Sequence, residues 1–140
     1  MEFTERKESL ILKHIKKNMG VDEYKIKSTS RERDVVDARR LYMYILREYF
    51  GLGFNEIGKI TNNHHSTVIY NCKKFTDFFN IYVRITSLPY KDICFQLDLM
   101  KDSVEEQVEE IKEQIITINK KIDNLITIKQ LQNGRKKLHS

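Results

Sequence analysis

Apolar residues recur at helical spacing through most of this 140-residue chain. In residues 5–19, Ile11, Ile15 and Met19 share one stripe, widened by Leu10 and Leu12, with Lys13, Lys16 and Lys17 around it. That pattern predicts an amphipathic helix, and Gly20 is placed to stop it. Residues 21–33 have no long apolar period and read as a short turn or helical piece followed by a basic loop. Residues 34–50 set Ala38, Leu41, Tyr42, Ile45, Leu46 and Tyr49 on a broad stripe. Asp34 is a candidate N-cap there, Asp37 suits the first turn, and Gly51 and Gly53 end the helix. A short helix over 54–61 turns Ile57 and Ile60 inward. Its Gly58 costs about 1 kcal/mol against alanine, which makes sense if another backbone passes close. The pair Asn62-Asn63 breaks that helix and is able to cap the next. From His64 a longer helix repeats Val68, Cys72, Phe75 and Phe79 at i, i+4, i+7 and i+11, with Ser66, Tyr70, Lys73, Lys74 and Asp77 on other faces.

Beyond residue 80 the pattern changes. Residues 81–90 read as a linker, with Ser87 and Pro89 marking a break and a restart. Residues 91–132 read as one long amphipathic helix. Within it Val104, Val108, Ile111, Ile115, Ile118, Ile122 and Leu125 alternate spacings of four and three, the a and d positions of three heptads. Residues 133–140 read as a frayed basic tail. The expected organisation is therefore all-α: a domain over 1–80, a linker over 81–90, a helix over 91–132 and the tail.

Composition narrows the function. Five glycines, one proline and 32% charged residues favour helices over a turn-rich β fold. The net charge of +5 is unevenly spread. Residues 1–80 carry 15 lysines and arginines against 11 acids, residues 101–126 carry 4 against 7, and residues 127–140 carry 4 against none. The N-terminal part and the tail are thus the segments suited to a polyanion. The two cysteines, Cys72 and Cys94, form no CxxC pair, which points to a reduced, cytoplasmic setting. The charged start lacks the apolar core of a signal peptide, and no 18-residue apolar run exists to span a membrane. No GxxxxGK[ST] phosphate loop is found, so nucleotide hydrolysis has no visible machinery.

The stretch NNHHSTVI, residues 62–69, crowds polar side chains onto a turn and the helix start after it. Metal binding is disfavoured, because neither histidine has a His, Cys or acidic partner at i+3 or i+4. Nucleophilic catalysis by Ser66 with His65 is disfavoured too, since adjacent helical residues diverge and no orienting acid is evident. Two helices joined by a tight turn make a helix-turn-helix, whose second helix presents its first turn to base edges. The alternative is a polar helix start that merely caps itself.

Residues 8–76 resemble the C-terminal DNA-binding domain of DnaA, the bacterial replication initiator. The resemblance rests on GFNEIGKI and NNHHSTVIYNCKKF, preceded by the helix DARRLYMYILREYFG and the basic loop STSRER. Glu56-Ile57-Gly58, His65-Ser66-Thr67-Val68 and Cys72-Lys73-Lys74 stand where the family has its own blocks of these types. The chain departs from the family at His64 (an Asp there), at Asn62-Asn63 (Gly-Gly, in a turn one residue longer) and at Asn55 (Pro).

The resemblance implies a helical domain that binds duplex DNA at a short asymmetric box. His65, Ser66 and Thr67, joined by His64, would read base edges in the major groove, and Arg31 would enter the adjacent minor groove. Arg33, Arg39, Arg47, Asn63, Lys73 and Lys74 would contact phosphates. The family's ATPase domain is not in this sequence, so a complete initiator is not expected. The expected protein is a non-enzymatic, sequence-selective double-stranded DNA-binding regulator or accessory factor of replication or transcription. It needs no cofactor, metal, membrane or small-molecule substrate. The isoleucine-rich stripe over 104–125 would make a homo-oligomer or fold back on the first helix. A competing reading makes the long helix the working part of a structural or interaction protein, viral assemblies included, with the helix-turn-helix as a folded cap.

Overall fold

The computed structural model describes residues 2–101 and 103–139, with side chains through residue 135. Every element among them is helical. In order they are α1 (Glu5–Met19), α2 (Glu23–Ile26), α3 (Arg33–Glu48), α4 (Phe54–Thr61), α5 (His65–Phe78), α6 (Ser87–Lys101) and α7 (Val104–His139). The chain divides into two compact units, residues 1–100 and 101–140.

The first unit is built around α3, which packs on α1, α2, α4 and α5. Ile11 and Ile15 of α1, Leu41, Ile45 and Leu46 of α3 and Ile57 of α4 are fully buried, as the stripe spacings predict. Gly20 ends α1 at φ 71°, and its N–H donates to Lys16 O over 2.8 Å. Only a residue tolerant of the left-handed region makes that stop cheaply. The start of α3 differs from expectation. Glu32 is its N-cap and Asp34 lies inside the first turn, where its charge still favours the positive helix end.

The segment 81–90 is not a free linker. Thr86, Ser87 and Pro89 are buried, and the Thr86 hydroxyl sits 2.8 Å from Tyr82 O and 3.1 Å from Phe79 O. That hydroxyl folds residues 79–86 into a compact turn feeding α6. Ile93 and Leu97 of α6 then enter the core at zero exposure. Tyr90 completes an aromatic cluster. Its ring centroid lies 5.1 Å from Tyr44, 5.8 Å from Phe79 and 6.3 Å from Phe75, while Tyr44 stacks on Phe75 at 4.4 Å. Each such pair contributes about 0.5–1.5 kcal/mol beyond its burial. Cys72 is buried beside this cluster's helix, and burial pushes its thiol up to about 11.

One continuous helix over 91–132 is not what forms. α6 ends at Lys101, and α7 begins afresh after Ser103, whose Oγ accepts from the Glu106 N–H at 3.2 Å. A serine there competes with the helix and restarts it, as N-cap residues do. α7 then runs through residue 139, across the segment read as a frayed tail; Ser140 and the side chains of 136–139 lie outside the described residues.

Candidate nucleic-acid interface

The helix-turn-helix is assembled from α4, the three-residue turn 62–64 and α5. Asn62 closes α4 in the left-handed region at φ 57° and ψ 47°. Asparagine tolerates that conformation better than most residues bearing a Cβ. The Asn63 N–H donates to Gly58 O at 2.8 Å, and the Asn63 side-chain amide donates to Thr61 O at 2.8 Å. Gly58 is required by this turn: a Cβ on it would collide with Asn63 O. The close backbone anticipated from the cost of a helical glycine is therefore the turn itself.

α5 is capped by His64, not by Asn62 or Asn63. The His64 Nδ1 accepts from the Ser66 N–H at 3.2 Å and lies 2.8 Å from Ser66 Oγ. With Nδ1 accepting, the proton of the neutral ring resides on Nε2, which is left as a donor. The His64 and His65 rings stack loosely, with centroids 4.1 Å apart. His64, His65, Ser66 and Thr67 are all exposed, while Val68 and Phe75 anchor the opposite face in the core. The first turn of α5 carries no acidic residue. The positive end of the α5 dipole, with no acid beside it, is complementary to an anion.

His64, His65, Asn62 and Asn63 line an open groove of about 600 Å³ together with Asn55 and Lys59. Asn55 and Lys59 were not among the sequence candidates. Their signal was weak: both lie on the short helix preceding the turn, and only the tightness of the turn brings them beside the histidines. Arg40 was likewise missed. Its Nε donates to Asn71 Oδ1 at 3.1 Å, and its guanidinium lies 5.9 Å from the ring centres of both Tyr70 and Phe78. Lys74 approaches the same two rings, at 5.6 Å and 5.9 Å. Two cations and an exposed tyrosine thus share one face of α5, on which Lys73 is also exposed.

The basic loop shows a division of labour that its composition hides. Arg39 is buried, and its guanidinium donates to four carbonyls: Ile26 at 2.8 Å, Ser28 at 2.7 Å, Ser30 at 3.1 Å and Lys25 at 3.3 Å. This corrects its assignment as a phosphate contact, because the side chain is turned inward and holds the loop in shape. Ser28 and Ser30 also build the loop. Ser28 Oγ donates to Lys25 O at 2.6 Å and accepts from Ser30 N at 3.2 Å, and Ser30 Oγ accepts from Glu32 N at 3.3 Å. Arg31 and Arg33 stand exposed on this framework. Arg31 is not among the residues lining the groove of the α4–α5 turn. Arg47 is half-buried, donating to Leu52 O at 3.0 Å with its guanidinium 4.2 Å from the Phe54 ring centre, and so ties α3 to the start of α4. No described helix is long and apolar enough to cross a membrane.

Comparison with known proteins places this geometry. Residues 9–75 match the model of the bacterial dnaA protein helix-turn-helix. The chain is similar to the chromosomal replication initiator protein DnaA of Kosmotoga olearia, 46% identical over 69 residues, covering 49% of this chain and 15% of that protein. It is 39% identical to that of Bacteroides thetaiotaomicron over 64 residues, covering 45% and 14%. It is 36% identical to that of Nostoc sp. over 75 residues, covering 53% and 16%. The chain therefore spans about one-seventh of the length of these relatives, and α7 lies outside the matched segment.

Proposed function

Since residues 9–75 form a helix-turn-helix domain of the bacterial DnaA family, we propose that this chain binds double-stranded DNA selectively at a short DnaA-box-like site. It acts as a regulator or accessory factor of replication or transcription, by binding and not by catalysis. The observation that carries this reading is the outward presentation of His64, His65, Ser66 and Thr67 on a helix whose other face is locked into the core. A backbone so fixed brings these side chains to a groove edge without the further cost of ordering the chain.

His65, Ser66 and Thr67 read base edges in the major groove, and His64 adds the Nε2 donor left by its capping role. A donor there favours an acceptor edge, such as a purine N7, where an aspartate would select an amino group. Arg31 probes the neighbouring minor groove from the loop that Arg39 holds. Arg33, Arg40, Arg47, Lys59, Asn63, Lys73 and Lys74 supply phosphate contacts and the salt-dependent part of affinity. The protein works in the cytoplasm, where chromosomal DNA is reached.

The test is selection of bound duplexes from a random pool, followed by titration of the preferred duplex at two salt concentrations with random competitor. Salt-sensitive, sequence-selective binding is expected. Absence of binding at low salt would overturn the reading and leave the long helix as the working part.

A further inference from the structure

We propose that Asn71 is a positioning residue: it holds the Arg40 guanidinium so that its terminal nitrogens grip a phosphate of the bound duplex. This rests on the duplex-binding reading and deepens it. Asn71 sits on α5 beside the core residues Val68, Cys72 and Phe75 and is 7% exposed. Its amide has two partners. Oδ1 accepts from Arg40 Nε at 3.1 Å, and Nδ2 donates to Met43 Sδ at 3.4 Å. Arginine only donates, so the amide is fixed with its oxygen toward Arg40. A thioether is a weak acceptor, and an apolar side chain of similar volume would pack on Met43 without the cost of burying an amide. Packing therefore does not account for an asparagine at this position, whereas the hold on Arg40 does.

What Asn71 holds is half of a cationic pair. Arg40 comes from α3 and Lys74 from α5, yet both lie over the same two rings, Tyr70 at 5.9 Å and 5.6 Å and Phe78 at 5.9 Å each. Two like charges converging on one pair of rings repel, and a phosphate shared by them removes that repulsion. Tyr70 is 54% exposed, so the pair is open to a ligand. Asp37, three residues earlier on α3, is partly desolvated and feels the Arg40 charge. Among the described residues, however, no hydrogen bond joins them, and the Nη nitrogens of Arg40 meet no acceptor. With Nε engaged by Asn71, the Nη1–Nη2 edge remains as a planar two-donor fork, the shape that takes a phosphate bidentately. A lysine in place of Arg40 would carry the charge without the fork and without the Nε–H that Asn71 accepts.

The test uses the full chain and measures how affinity changes with salt, on a random-sequence duplex and on the duplex selected from the pool. Arg40→Ala should lower the salt slope by about one unit and weaken binding about eightfold at about 0.1 M salt. Asn71→Ala removes no charge, so a merely structural asparagine would leave the slope as it is. Here Asn71→Ala should lose most of that unit on both duplexes, and adding Arg40→Ala to it should lower the slope little further. Asn71→Leu, whose apolar side chain packs on Met43, is the second variant; it should fold and lose the same unit. Urea unfolding establishes that each variant is folded. A wild-type chain that binds neither duplex overturns the duplex-binding reading and this inference with it. A chain that binds, but whose slope is unchanged in Arg40→Ala or in the folded Asn71 variants, overturns this inference alone, as do effects of Arg40→Ala and Asn71→Ala that simply add.

Discussion

The Nδ1 of His64 sits 3.2 Å from the Ser66 backbone nitrogen and 2.8 Å from Ser66 Oγ, so one imidazole closes the first turn of α5 and is itself held by it. The same contact leaves Nε2 as the donor of the neutral ring, the nitrogen that the proposed reading turns toward the duplex. His64→Ala should therefore lower stability by about 1 kcal/mol, the worth of an N-cap. His64→Asn should restore most of that loss, since asparagine caps as well, while changing base preference. Urea unfolding of the three proteins, with duplex selection on each, separates cap from reader.

His65 makes no such cap, and its ring is exposed beside that of His64. His65→Ala should weaken binding to the preferred duplex by about 1–3 kcal/mol and flatten preference at one position. Equal losses on specific and random duplexes would remove it from base reading.

Arg39 and Lys73 should behave as opposites. Arg39→Ala strips four carbonyls of their donor and should cost about 2–3 kcal/mol of stability, and Arg39→Lys should rescue little because an ammonium cannot span that fan of acceptors. Lys73→Ala should leave the melting temperature alone. It should reduce affinity evenly across sequences and lower the salt slope by about one unit. Thermal melts and salt titrations on both variants check this.

Gly58→Ala would ordinarily favour a helix by about 1 kcal/mol. Here the new methyl would meet Asn63 O, so net destabilisation of about 1–3 kcal/mol is expected, together with weaker DNA binding as the turn shifts. A stabilised variant with unchanged binding would show that the turn is looser than described.

Leu97→Ala should cost about 2–5 kcal/mol, like any deletion from a packed core, since Leu97 is fully buried. A chain ended at residue 80 should be less stable still, having lost Tyr90, Ile93 and Leu97. If calorimetry finds the shortened and the full-length chains melting alike, α6 is not part of the core.

The sequence alone determined the helices of residues 5–78 and their inward faces. A 3.6-residue period of large apolar side chains can be buried in only one way, and Gly20 and Asn62 stop helices by local conformation alone. It also carried the motif blocks from which the family resemblance, and with it the side chains of α5 proposed to read bases, could be named. What the tertiary structure decided were matters of partnership between distant segments. Arg31, Arg33 and Arg39 look alike along the chain, yet Arg39 alone meets four carbonyls of a loop folded back over it. Pro89, Ile93 and Leu97 carried a helical spacing, but only the aromatic floor of Tyr44, Phe75 and Phe79 made it the core's last wall. The groove joining Asn55 and Lys59 to the histidines exists because Gly58 lets the turn close against it. Local pattern fixes which way a side chain faces; whether it meets solvent, a carbonyl or another ring is set by what the rest of the chain brings there.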